Sequence, residues 1–537
     1  MSFVERFHRA FDKSLSRTIG KYRMGVVFLF RNRWIVLALI LLSVGGLWML
    51  MSTTKTGLVP QEDMGTISLN VQVAPGSSLA ETEAIMTQVE DSIKDIPEIN
   101  IYSKVTGKNA RHEQSASAGS FNIRLKDWEL RSGKEHDINA VIKEIYKRTS
   151  TIASAQVRAS QSPMISGYGT GSGFELYVQD RKGTTTEELL EVTRAFIDSL
   201  NQRPEISRAY TTFDTKYPQY MVEVDAAKCL QHDVSPSEVL ATLSGYIGGS
   251  YSSNLNRFTK LYRVMVQAAP EARLDTESLK RIYVKTSAGE MAPIDNFITL
   301  TKVYGSESLS RFNLFPAISV YGEQGEGYSS GEAIAAIKDV AEKCLPYGFG
   351  YEFGGMSREE SSSGNTTALV FGICLAFIYL ILCALYESLT VPFAVIVAVP
   401  FGLVGSFLFA RWWGLENNIY MKIGLIMLIG LLAKTAILLT EYATARRKEG
   451  LGLVSAAISA AKARFRPILM TSATMVFGML PLMFASGVGA NGNISVGVGT
   501  VGGLIFGTLA LLFIVPILFV IFQYLHEKLT PKRKKKV

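Results

Sequence analysis

The stretch Ile423-Gly-Leu-Ile-Met-Leu-Ile-Gly-Leu-Leu-Ala-Lys434-Thr-Ala-Ile-Leu-Leu-Thr440 decides the fold. Read as a helix at 1.5 Å per residue, it covers about 27 Å, close to the roughly 30 Å hydrocarbon core of a bilayer. One charge interrupts it. A lysine in the middle of a span costs several kcal/mol and marks an ion or proton pathway when an acidic group faces it. The bland reading is snorkelling, because Lys434 lies seven residues, about 10 Å, from Glu441 at the cytoplasmic edge. No expected span in this chain offers a central Asp or Glu to Lys434, so its partner is expected on another chain or segment.

Further apolar runs lie on either side. Residues 34–51, 366–386 and 391–410 carry no charge, and from Pro467 to His526 there is no Asp, Glu, Lys or Arg. That last run is enough for spans at 468–486 and 498–524, joined by a Gly/Asn-rich loop at 487–496. With 423–440 this makes six expected spans. Trp34 and Trp48 lie near the ends of the first, where aromatic rings favour the interface.

The 537 residues are 48% hydrophobic and only 19% charged, which excludes a disordered chain, and four cysteines make no disulfide framework. A net charge of +8 invites a nucleic-acid reading. Its distribution argues for membrane topology instead. Basic residues crowd before the first span, at Arg446, Arg447, Lys448, Lys462, Arg464 and Arg466, and in the tail 525–537. Six spans put all three clusters on one side, the cytoplasmic one, with residues 52–365 opposite. Residues 1–23 repeat Phe3, Phe7, Phe11, Leu15 and Ile19 every four positions among charges, as an amphipathic helix on the membrane surface would.

The external region reads as α+β. Ile67-Ser-Leu-Asn-Val-Gln-Val73 alternates as a half-buried strand, and Ser77 or Ser78 can cap the helix that follows. The same phrase recurs at Gly183-Thr-Thr-Thr-Glu-Glu188 after Phe174–Val178, and at Gly327-Tyr-Ser-Ser-Gly-Glu332 after Ala317–Tyr321. Repetition of strand, capped helix and strand predicts small modules of split βαβ, ferredoxin-like type. Between them, 218–297 forms another unit. Gly167-Tyr-Gly-Thr-Gly-Ser-Gly173 lacks the helix a phosphate loop needs and reads as a hinge. Cys229 and Cys344 belong to different modules and are expected unpaired; scattered methionines make no soft-metal site.

Four motifs in order carry a family resemblance: Gly354-Gly-Met-Ser-Arg-Glu-Glu360, Ala384-Leu-Tyr-Glu-Ser388, Gly430-Leu-Leu-Ala-Lys-Thr-Ala-Ile-Leu438 and Arg464-Phe-Arg-Pro-Ile-Leu-Met-Thr-Ser472. The chain resembles, nearly end to end, the C-terminal half of a resistance–nodulation–division (RND) efflux pump of the hydrophobe/amphiphile, AcrB-like type. The resemblance implies a homotrimeric proton antiporter of the Gram-negative inner membrane, without a cofactor and with protons as coupling ion. Its implied partners are the N-terminal half of the pump, a periplasmic adaptor and an outer-membrane channel. It implies porter subdomains at 52–165 and at 166–217 with 298–360, and a docking subdomain at 218–297. It also implies that Lys434, Arg464 and Thr471 are relay positions, Lys434 pairing with two aspartates of the other half.

The chain departs from the drug pumps where they carry pocket phenylalanines. The matching positions here are Ser103, Lys108, Ala110 and Asn122, and the expected loop Gly107–Ser120 adds Arg111, His112 and Glu113. The candidate substrate contacts are Ser103, Lys108, Arg111, His112, Asn122 and Met164. A polar, charged lining suits a polar or anionic amphiphile better than a planar apolar drug. The rival readings are a heavy-metal or lipid exporter of the same superfamily, and a non-transporting half-pump that only assembles with a partner. An enzyme is not expected, since 52–365 shows no nucleophile–base or metal-ligand spacing.

Overall fold

The computed structural model describes residues 3–529 except 111–113, 132, 134, 166–167, 169–172 and 288, with the side chains of 3–15 and 363–368 left aside. The Gly167–Gly173 hinge, Arg111, His112 and the last eight residues of the basic tail therefore lie mainly or wholly outside the described residues.

Helix α1 (Phe3–Arg31) runs to within one residue of α2 (Arg33–Thr53). The amphipathic helix expected at 1–23 is thus only the first part of a longer one. Its second half packs into the bundle: Tyr22 and Val26 are buried, the Tyr22 hydroxyl donates to the Leu512 carbonyl at 2.7 Å, and its ring lies 4.6 Å from that of Phe465. Of the expected stripe, only Ile19 has a described side chain, and it packs against the bundle core.

The first α+β module follows: β1 (Thr66–Val73), α3 (Leu79–Ile93), β2 (Ile99–Lys108), β3 (Gln114–Leu125), α4 (Ile138–Thr149) and β4 (Ala155–Gln161). Its strands pair antiparallel in the order β2-β3-β1-β4. Ile67, Leu69 and Val71 point one way and pack with Phe121, Ile123, Met86, Val89, Val141 and Ile145 against the two helices. Ser78 caps α3 in a reciprocal capping box with Glu81, satisfying two amides that the first turn leaves free. The expected loop Gly107–Ser120 is for the most part a hairpin. Small Ser and Ala residues continue β3 back to Gln114, and Lys108 pairs with Gln114.

Next come β5 (Phe174–Asp180), α5 (Thr186–Asn201) and β6 (Ile206–Tyr210). Residues 213–309, with 74–77, form a separate compact unit. It contains β7 (Tyr217–Val224), α6 (Ala226–Gln231), α7 (Pro236–Leu243), the hairpin β8 (Ser250–Arg257) and β9 (Lys260–Val266), the short pair β10 (Tyr283–Lys285) and β11 (Met291–Pro293), and β12 (Ile298–Gly305). Cys229, Val239, Ile294 and Phe297 make its core. The second α+β module then resumes with β13 (Ser310–Phe312), β14 (Phe315–Gln324), α8 (Ser330–Cys344) and β15 (Phe349–Phe353). Its sheet runs β13-β14-β5-β15, with β6 also on β14. Thr185 caps α5, and Ser329 with Glu332 boxes α8.

The chain closes with α9 (Gly355–Tyr386), α10 (Phe393–Ile396), α11 (Val399–Trp413), α12 (Ile419–Lys448), α13 (Leu453–Met483) and α14 (Ala490–Leu529). Among the described residues, six helices are long and apolar enough to cross a membrane: Arg33–Thr53, Leu369–Tyr386, Phe393–Trp413, Ile419–Lys448, Leu453–Met483 and Ala490–Leu529. Two details differ from expectation. The run 391–410 breaks after Ile396, because Pro400 cannot donate to that carbonyl and its ring crowds it. The Gly/Asn-rich loop at 487–496 is mostly the first turns of α14, whose free Gly492 amide donates to the buried Glu62 carboxylate at 2.8 Å.

Candidate functional site

Helix α12 starts under the Asn418 side chain, which accepts from the Met421 amide at 2.9 Å and donates to Ser495 at 3.0 Å. Met421, Leu425, Leu428, Leu432 and Leu439 turn one side of it into the bundle. Lys434 lies on the other side and is exposed, as are Gly430 and Glu441. Among the described residues no carboxylate oxygen lies within 4.0 Å of its ammonium.

Helix α13 returns antiparallel beside α12. The Arg464 guanidinium lies 4.9 Å from the Tyr442 ring centroid, and Arg446 stacks on the same ring at 5.1 Å while donating to its hydroxyl at 2.7 Å. The Arg464 Nε is buried and has no hydrogen-bond partner among the described residues. Such an orphan costs about 1–3 kcal/mol. Seven residues along α13, about 10 Å, Thr471 comes level with Lys434. Its hydroxyl donates back to the Pro467 and Ile468 carbonyls at 3.1 and 3.0 Å. Lys434 and Thr471 therefore share one depth, and Arg464 sits about two turns nearer the basic end.

The first module brings together part of the expected substrate set. Ser103 and Asn122 are cross-strand partners on the face turned away from α3 and α4, and the row continues to Ser68 and Ser160. The adjacent row is Val105, Ser120, Asn70 and Arg158. Asn70 accepts from the Ala110 amide at 3.2 Å. Lys108 is exposed at the end of β2, and Met164 is half-buried beyond β4. The structure does not set either of them in these rows.

Sequence reasoning missed Arg158. It stacks on Tyr210 of the second module at 4.3 Å and donates to Gln156 at 3.1 Å. Burial draws its pKa below the usual arginine range. Nearby Glu323 is pushed up by burial, opposed by Arg208, its cross-strand partner. The alternation Ile67-Ser-Leu-Asn-Val-Gln signalled a polar face, but only the strand register shows which residues complete it.

The family described as AcrB/AcrD/AcrF matches residues 2–523. The multidrug/solvent efflux pump membrane transporter MepB of Pseudomonas putida is 34% identical over 526 residues, 97% of this chain and 50% of its own length. The solvent-resistant pump membrane transporter SrpB of the same species is 33% identical over 535 residues, 99% of this chain and 50% of its own. The multidrug export protein AcrF of Escherichia coli is 33% identical over 518 residues, 96% of this chain and 50% of its own. The chain thus spans about half the length of these relatives. By the match over residues 2–523, the chain belongs to the AcrB/AcrD/AcrF family, whose members are membrane efflux transporters and not enzymes.

Proposed function

We propose that this chain is the C-terminal half of a proton-driven RND efflux pump that exports amphiphilic small molecules from a Gram-negative inner membrane. The observation that carries the reading is Lys434, a cation at mid-span on an exposed helix face, with no carboxylate near it among the described residues. A bare ammonium at that depth is untenable, so the face is built to meet an acidic helix from outside these residues. Arg464, with its orphaned Nε, fits the same need.

In this mechanism a carboxylate pair facing Lys434 holds it by charge. Protonation removes most of that attraction and releases α12 to shift. The shift alternately opens and closes the space between the two α+β modules. Assembly as a homotrimer with an adaptor and an outer-membrane channel is part of the proposal. The ribbon β8–β9 supports it, because Tyr251, Leu255, Leu261, Tyr262 and Met265 on its strands and Phe258 in its turn are exposed. Apolar surface of that extent marks contact with a partner. The serine and asparagine row at Ser103 and Asn122 favours polar or anionic amphiphiles as cargo.

In cells making the complete pump, Lys434→Ala is expected to leave assembly intact and to abolish export of an anionic detergent. Near-normal export by that variant would end the proposal. Export of a neutral planar dye in preference to the detergent would overturn the cargo assignment alone.

A further inference from the structure

Helix α14 carries a proline well inside it. Pro516 has no amide hydrogen, so the carbonyl four residues back, at Leu512, loses the donor that an unbroken helix would give it. At Pro400 the same loss breaks the run after Ile396, yet α14 continues from Ala490 to Leu529. Here a side chain replaces the donor. The buried Tyr22 hydroxyl of α1 donates to the Leu512 carbonyl at 2.7 Å. The tyrosine is held in place on both sides. Its ring lies 4.6 Å from that of Phe465 on α13 and 5.3 Å from that of Phe513 on α14. Tyr22, Gly25 and Val26 share one face of α1 by their spacing. Gly25 brings that face so near α14 that a Cβ on it would lie 3.0 Å from the Phe513 ring, and Val26 is buried.

Pro516 also lies between two stretches of α14 with different attachments. In the first, a Cβ at Gly502 would lie 2.8 Å from the Gly405 carbonyl oxygen, and Ser406 donates to the Gly499 carbonyl at 2.6 Å. Residues 499–507 therefore ride backbone to backbone on α11. Leu428 and Leu432 of α12 meet this stretch through the tips of their side chains, contacts that can slide. In the second stretch, the two Glu527 oxygens accept from Arg447 of α12 at 2.8 Å each. Phe519 packs there among Ala443, Ala457 and Ala460 of α12 and α13. A displacement of α12 against α11 thus pulls one stretch and leaves the other pinned, and the residues between them have to bend. A proline is where a helix bends most readily, one restraining hydrogen bond being already absent.

We propose that α14 hinges at Pro516 and that Tyr22 is the positioning residue that locks the hinge, its hydroxyl standing in for the absent amide. Opening the hinge takes the Leu512 carbonyl away from the hydroxyl and leaves it without that donor. That loss makes the locked setting distinct from the open one, so α14 switches between two settings instead of drifting. Use of the hinge in transport rests on the export reading, in which α12 shifts when the carboxylates facing it are protonated. In that cycle α1 sets how readily the helix at the centre of the bundle gives way.

The test is a double-mutant cycle in the complete pump, purified in nanodiscs and read by hydrogen–deuterium exchange of the α14 peptide at 508–520. Tyr22→Phe keeps the ring contacts and removes only the hydroxyl. It should speed exchange there about tenfold, as the loss of one buried hydrogen bond does. Pro516→Ala returns an amide to the Leu512 carbonyl and should slow exchange below wild type. In that background Tyr22→Phe should change exchange by less than about twofold, the two effects being coupled. Equal acceleration by Tyr22→Phe in both backgrounds would overturn the lock, because the hydroxyl would then act without the proline. Unchanged exchange in the Tyr22→Phe variant alone would overturn it as well, and this arm does not depend on how Pro516→Ala folds. The peptide at 493–505 should keep its wild-type exchange throughout; acceleration along the whole helix would mean general loosening and contradict a hinge. Lys434→Ala tests the link to transport separately, since the export reading expects it to release α12 and so to speed the 508–520 peptide. No effect of Lys434→Ala beside an intact cycle would sink that link and leave the hinge and its lock standing.

Discussion

Asp180, at the end of β5, accepts hydrogen bonds from the amides of Lys182, Gly183 and Thr184 at 2.8, 3.0 and 2.5 Å, and from the Thr184 hydroxyl at 3.1 Å. Burial alone would push its pKa up, but these donors hold it below the ordinary carboxylate value. A depressed folded pKa means stability that is present above the unfolded value, near 3.9, and is lost as pH falls through the folded one. Asp180→Asn is expected to cost about 1–3 kcal/mol at pH 7, since an amide accepts less strongly and its NH₂ meets donors. Chemical denaturation of the variant at pH 7 and at pH 3 checks this: the deficit should shrink in acid. At this scale the sequence was most legible for residues whose chemistry contradicts their surroundings. Lys434 stood out because a charge in an apolar run needs a reason. Arg158 did not, because its stacking on Tyr210 is made across two modules.

Helices α11 and α14 show what governs packing between elements. A Cβ at Gly405 would lie 2.6 Å from the Gly502 carbonyl oxygen, and one at Gly502 would lie 2.8 Å from that of Gly405. The two backbones are therefore in contact, an approach that only small residues permit. Gly502→Ala is expected to force the helices apart, at a cost of about 1–3 kcal/mol, and to lower the melting temperature in detergent. Gly372→Ala on α9, where a Cβ meets nothing within 4 Å, is the matched control and should melt as the wild type. Equal melting of both variants would contradict this packing. Glycine spacing in the sequence does not say which helix answers which. Caps were more legible, since Ser78, Thr185 and Ser329 act within their own turns. The hairpin of β2 and β3 was not, because small Ser and Ala residues carry no strong strand preference and the pairing partner decides.

Within the larger unit, the segment after α2 straps the bundle to the second α+β module. The Lys55, Thr56 and Leu58 carbonyls accept from the amides of Asn417, Gly331 and Ile419 at 2.8, 3.1 and 3.0 Å. Beside it, Ser330 donates to Glu360 at 2.8 Å. Burial raises the pKa of Glu360 and of Glu416; for Glu416 the Glu360 and Glu332 charges add to this, and Lys55 opposes it. A carboxylate with a raised folded pKa binds protons more tightly when folded, so stability falls as pH rises through the window above the unfolded value. Glu416→Gln is therefore expected to melt higher than wild type at pH 7.5, with the gap closing toward pH 4. A variant less stable at pH 7.5 would show that the ionised form is needed. A strap of this kind is how a displacement of α12 would reach α8, and it was invisible in the sequence, where its contacts lie hundreds of residues apart. The most direct test of the relay is a photo-crosslinking phenylalanine analogue at position 434, illuminated in membranes of cells that supply every natural partner. The account predicts an adduct with a membrane-spanning peptide that carries Asp or Glu near its middle. Adducts with lipid alone, or only with helices of this chain, would contradict it.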